Sequence, residues 1–112
     1  LYRSVSTPVL ISDRDHIISC AGVSKKDFLD RRISSDLEKI MEERQLYTGD
    51  REKQLFPVDG IDYGASIAAP IIGNGDILGA VVFLWSDGSK ISPTEIKLAQ
   101  VAASFIGKQM EN

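Results

Sequence analysis

Residues 69–87 read APIIGNGDILGAVVFLWSD, two apolar runs joined at Gly73-Asn74-Gly75-Asp76. The second run, from Ile77 to Trp85, hardly alternates: Leu, Gly, Ala, Val, Val, Phe, Leu and Trp follow one another. A strand with one wet face alternates apolar and polar residues, whereas a strand covered on both faces reads as a near-continuous apolar run. The run therefore predicts a central strand. Its partner is the stretch from Gly64 to Ile72, joined to it through a Gly73–Asp76 turn whose Asn and Gly tolerate positive φ. The rest of the chain has to cover both faces.

The C-terminal segment supplies one cover. Ser92-Pro93-Thr94-Glu95 is a capping box, in which the serine hydroxyl bonds the Glu95 amide and the Glu95 carboxylate reaches back. Proline at the first helical position loses no hydrogen bond it would otherwise make. From Ile96 to Met110 the apolar residues form two stripes, Ile96, Ala99, Ala103, Ile106 and Met110 in one, Leu98, Val101, Ala102 and Phe105 in the other. The polar strip of Lys97, Gln100, Ser104, Lys108 and Glu111 is narrow. A helix lying on one sheet needs an apolar stripe of about 100°, and this one has more. Burial on two sides follows, against its own sheet and against a second subunit or another domain. The expected dimer contacts are Leu98, Val101, Ala102, Phe105 and Ile106.

The N-terminal half supplies the other cover. Residues 8–13 (PVLISD) and 16–20 (HIISC) read as a hairpin around the polar corner Asp13-Arg14-Asp15, and Ala21-Gly22 stops it. Ser24 introduces a short helical turn, and Ser34 or Ser35 caps a longer helix with Leu37, Ile40 and Met41 on one side. Between 46 and 63 the turn signals Gly49-Asp50 and Asp59-Gly60 bracket an expected edge strand at Gln54–Val58, with Pro57 excluding a central position. Hairpins at both ends, with helices between and after, predict an α+β domain built on an antiparallel sheet. Terminal helices lie on one face and short helices and loops on the other. A small molecule would fit between the sheet and that loosely tethered cover. The expected pocket wall is Ile11, Cys20, Ile40, Tyr63, Ser66, Val82 and Leu84.

Bulk properties narrow the classes. A chain of 112 residues predicts one domain with a single real core. The net charge of −3, with basic and acidic residues interspersed, argues against nucleic-acid binding by this chain itself. No run is long enough to span a bilayer and no signal peptide is visible, so no membrane partner is expected. One cysteine cannot form an internal disulfide, which points to a reducing cytoplasm. The chain starts Leu-Tyr-Arg-Ser, which reads as a piece cut from a longer protein.

The order of elements resembles a GAF domain, the small-molecule sensing module of many bacterial regulators. PVLISDRDHII, SKKDFLDRRIS, NGDILGAVVF and AASFIGKQME, in that order, are similar to the C-terminal GAF domains of sporulation regulators of endospore-forming bacteria. The resemblance covers nearly the whole chain. It implies a separate N-terminal DNA-binding domain of the AbrB swapped-hairpin type, and homodimerisation through terminal helices, with a tetramer in the full-length protein. It also implies control of late, forespore-specific genes. It supplies no ligand and no functional-residue motif.

Candidate chemistry is sparse. Cys20 has no second cysteine to resolve an oxidised intermediate and no adjacent Lys or Arg to lower its pKa, so it reads as an inert thiol. Asp13, Asp15 and His16 form a metal-like string, but ligands this close around a tight turn seldom converge, so no metal is expected. Ser4, Ser6, Ser12, Ser19, Ser24, Ser34 and Ser35 offer nucleophiles without a base, and no nucleophile elbow is present. Lys25, Lys26, Arg31 and Arg32 form a basic cluster diluted by Asp27 and Asp30, which reads as a solvated face. The Asn-Lys-x-Phe-Asp-Glu signature of cyclic-nucleotide GAF domains is absent. Gly73-Asn74-Gly75 enters a strand without the Lys-Ser/Thr of a phosphate loop. The expectation is a non-enzymatic regulatory module with no cofactor, holding a small-molecule effector. Its alternatives are an oligomerisation scaffold without a ligand and, last, a redox enzyme working through Cys20.

Overall fold

The apolar run occupies the middle of the sheet. The computed structural model describes residues 7–86 and 90–111. Its elements are β1 (Val9–Ser12), β2 (Ile17–Ala21), α1 (Lys25–Phe28), α2 (Ser35–Glu43), β3 (Tyr47–Thr48), β4 (Ala65–Gly73), β5 (Asp76–Leu84) and α3 (Pro93–Met110). Among the described residues the strands form one antiparallel sheet in the order β2-β1-β5-β4-β3, an α+β fold of the GAF-like kind. Successive side chains of a strand point to opposite faces. Ala80, Val82 and Leu84 of β5 meet Leu10, Phe28, Leu37 and Met41 on the α1–α2 side. Val81 and Phe83 meet Ile67, Ile71, Ala99 and Ala103 on the α3 side. Both sets are buried, which is why the run carries no polar alternation.

The two hairpins are set by local chemistry. At the first corner Asp13 Oδ1 accepts from the amides of Asp15 (2.8 Å) and His16 (2.7 Å), an Asx turn. Burial raises the Asp13 pKa, but these two bonds and the charge of His16 outweigh it and hold the carboxyl below its ordinary value. In the second, Gly73 pairs with Asp76, so the loop proper is Asn74 (φ 52°) and Gly75 (φ 80°). Two successive positive φ angles give the turn whose twist matches the strands it joins. The tip is gripped from two sides: Arg44 Nη1 donates to the Gly75 carbonyl (2.7 Å), and the Asn74 amide donates to Glu111 Oε2 (3.1 Å).

Ser34 is the N-cap of α2. Its hydroxyl accepts from the Leu37 amide (3.2 Å) and donates to the Phe56 carbonyl (2.6 Å), while its own amide donates to the Pro57 carbonyl (2.7 Å). These bonds correct the expected edge strand at Gln54–Val58. That segment stands outside the sheet, and β3, two residues long, takes the edge of β4 instead. The Phe56 and Pro57 carbonyls are committed to Ser34, the Leu55 carbonyl accepts from Ala65, and Pro57 has no N–H to give.

α3 begins at the expected capping box, with Glu95 N to Ser92 Oγ at 3.1 Å and Ser92 N to Glu95 Oε1 at 3.4 Å. It buries Ala99, Ala103 and Gly107 against β4 and β5. Met110, expected in the buried stripe, is instead 42% exposed. The approach is closest at Gly107, where an added Cβ would lie 2.4 Å from the Ile72 carbonyl oxygen.

Gly107→Ala sets two effects against each other. Helix propensity favours Ala by about 1 kcal/mol, while forcing a methyl into a closed contact costs about 1–3 kcal/mol. The neighbour is backbone and cannot swing away, so packing wins. Urea unfolding of the variant is expected to give a lower midpoint than the parent; a higher one would show that α3 does not depend on this contact.

Candidate functional site

Two surfaces are in question, the interior between the sheet and α1–α2, and the outward face of α3. Of the seven expected wall residues, Val82 and Leu84 lie in the cover-side core, and Cys20, Ile40 and Tyr63 pack against it. Tyr63 also meets the Phe28 ring edge-on, with centroids 6.2 Å apart. Ile11 does not join them. It packs on the α3 side with Val9, because Leu10 and Ser12 take the cover side of β1. Ser66 is buried, and its hydroxyl donates to the Phe83 carbonyl (3.2 Å) within the sheet.

Ser12 is the cover-side residue missing from the expected wall. It sits opposite Ala80 and Ile17, is 1% exposed, and its Oγ is buried without a hydrogen-bond partner. An unmet buried hydroxyl costs about 1–3 kcal/mol. The alternation of β1 was the signal that could have found it: Leu10 at the core fixes Ser12 on the same face.

The remaining polar candidates are exposed or half-buried. Arg31, Arg32, Ser35 and Glu38 line a cleft of about 370 Å³ with Ile33, Val58 and Asp59 at the N-terminal end of α2. Lys25 and Lys26 stand in solvent on α1. Asp13, Asp15 and His16 do converge, with ligand atoms within 4.8 Å of one another, because the Asx turn folds the corner back on itself. Asp13 Oδ1 is already used as the acceptor for that turn. Cys20 is half-buried on β2. Ser4 and Ser6 lie outside the described residues.

The outer face of α3 is apolar. Leu98, Val101 and Phe105, spaced along one side of the helix, are 56, 53 and 62% exposed. Ala102 and Ile106 pack partly against the sheet-side core, so they form the seam between that face and the sheet. Thr7 Oγ1 donates to Glu95 Oε2 (2.8 Å), which ties the first turn of α3 to the segment leading into β1. Half-buried Val9 and Ile11 pack against the sheet-side core.

The family described as "Stage V sporulation protein T C-terminal, transcription factor" matches residues 1–111. The chain belongs to this family. It is also 40% identical, over 113 aligned residues and 99% of its own length, to stage V sporulation protein T of Bacillus subtilis (strain 168). The chain spans 63% of the length of that relative. Membership supports a regulatory role for the domain. Among the described residues no helix is long and apolar enough to cross a membrane.

Removing the orphan hydroxyl tests whether it is only a structural cost. Ser12→Ala is expected to raise the stability of the ligand-free chain by about 1 kcal/mol, read as a shift of the urea midpoint at constant slope. A loss of stability would mean that the hydroxyl has a partner in solution.

Proposed function

We propose that this domain is the non-catalytic regulatory module of a cytoplasmic sporulation transcription factor. It dimerises through the outer face of α3 and passes its state to a separate AbrB-type DNA-binding domain. The exposed Leu98–Val101–Phe105 face carries the reading. Contiguous apolar surface of this kind marks an interaction site, and each Leu-sized side chain buried there is worth about 1.5–3 kcal/mol. DNA is contacted only through the other domain, consistent with the net charge of −3. The dimer, and the tetramer expected of the full-length protein, place the α3 helices of two copies side by side.

A small-molecule effector on the cover side is the second part of the proposal, and buried, unpartnered Ser12 Oγ supports it over a ligand-free scaffold. An effector that accepts a hydrogen bond there shifts the attached domain only if it binds one helix arrangement better than the other. A redox enzyme at Cys20 ranks last, since the chain holds one thiol.

Sedimentation measures the first part directly. The parent is expected to run as a dimer and Phe105→Glu as a folded monomer, because Phe105 contributes little to its own core. A monomeric parent, or a variant that keeps the dimer mass, would remove the α3 interface. For the second part, metabolite fractions are screened by thermal shift. An effector at about 100 times its Kd should add about 2.7 kcal/mol of stability to the parent and markedly less to Ser12→Ala.

A further inference from the structure

On the side of α3 away from the seam lies a cleft that neither part of the proposed function uses. It encloses about 300 Å³ at the junction of three elements. β4 supplies Ala69, Pro70 and Ile72, α3 supplies Ala103 with Gln100 and Ser104 on the rim, and the link from α2 to β3 supplies Leu46 and Arg44. The cleft exists because β3 is so short. It pairs with Ile67 and Ala68 and stops, so the outer edge of β4 from Ala69 onward has no strand beside it among the described residues. Pro70, with no N–H, suits that open edge.

The chemistry of the lining is one-sided. Leu46, Ala69, Ile72 and Ala103 make an apolar floor, and Arg44 is the single charged residue. Its position is fixed: it caps α2 in the left-handed conformation (φ 56°), and Nη1 is tied to the Gly75 carbonyl at 2.7 Å. A guanidinium carries five N–H donors in a planar fork that matches a carboxylate, and this bond uses one. Gln100 and Ser104 add neutral donors beside it. From Gln100 to Ser104 the cleft follows about 6 Å of helix axis, too little for a peptide segment and enough for a short acyl chain.

We propose that this cleft binds a small aliphatic carboxylate, with the carboxylate on Arg44 and its tail over Leu46 and Ile72. An occupant touches α3 directly, through Gln100, Ala103 and Ser104, so binding here reaches the helix without passing through the sheet. The site is independent of the cover-side effector and of the dimer face.

Sodium hexanoate and neutral 1-hexanol are the probes, titrated into the ¹⁵N-labelled chain and followed by amide chemical shifts. Hexanoate should produce saturating shifts at Leu46, Ile72, Gln100 and Ser104, with hexanol much weaker. Arg44→Gln should raise the apparent Kd about tenfold, the loss expected for a charge-assisted bidentate contact. Exposed Ser104→Phe, which plugs the cleft without touching the core, should abolish the shifts and serves if Arg44→Gln unfolds. Absence of saturating shifts up to about 20 mM, weaker than the range small ligands of this size reach, would overturn the proposal. So would equal binding of hexanol, unchanged affinity in both variants, or shifts confined to the cover side.

Discussion

Everything in this fold depends on β5 having two dry faces. Ala80, Val82 and Leu84 on one side and Val81 and Phe83 on the other each need a layer above them, and neither layer alone would bury the strand. The cover of α1, α2 and the 54–63 segment is held down by Ser34, whose amide and hydroxyl reach two carbonyls of the distant loop. α3 lies close enough on the other face that glycine is needed at 107. The two layers meet at the tip of the β4–β5 hairpin, where Arg44 and Glu111 hold adjacent residues of the turn.

The layers differ in how completely they are satisfied. The cover side closes over its own residues and, among the described residues, leaves the buried Ser12 hydroxyl without a partner. α3 is amphipathic on the wrong scale for a lone sheet: its small residues Ala99, Ala103 and Gly107 face the strands, and its larger ones, Leu98, Val101 and Phe105, face outward. Small residues allow close approach and contribute little area; large residues do the reverse. A helix arranged this way keeps its largest apolar side chains at the surface, where contiguous apolar area marks an interaction site.

What could be read from the sequence was what short-range chemistry decides. The capping box at Ser92–Glu95, the Asn74-Gly75 loop and the covered strand after it are all specified within a few residues, and they stand where the sequence places them. The misreadings share a long-range cause. Gln54–Val58 carries strand-like residues, but its carbonyls are claimed by Ser34. Between Ser34 and Ser35, both open as caps in the sequence, the cap falls to Ser34, whose hydroxyl also reaches Phe56 through tertiary structure. A serine at position 12 suits a wet face by composition, and its burial puts Ile11 on the α3 side instead of the expected pocket wall. Asp13, Asp15 and His16 converge because one carboxylate folds its own corner. The groove beside Arg44 was invisible for the same reason: it is defined by a strand that stops after two residues.

The sheet also has consequences at its margins. On one flank the chain folds back on itself, with Ile17 exchanging amide and carbonyl bonds with Arg31 and Asp30, and Ile33 bonding to Asp15. On the other, β3 pairs through Tyr47 and Thr48, and beyond the Tyr47 end the edge of β4 carries Pro70. Among the described residues neither rim presents a long, regular ladder of open amides on which a foreign strand could template. A sheet with both rims interrupted in this way is guarded against fibril-like stacking.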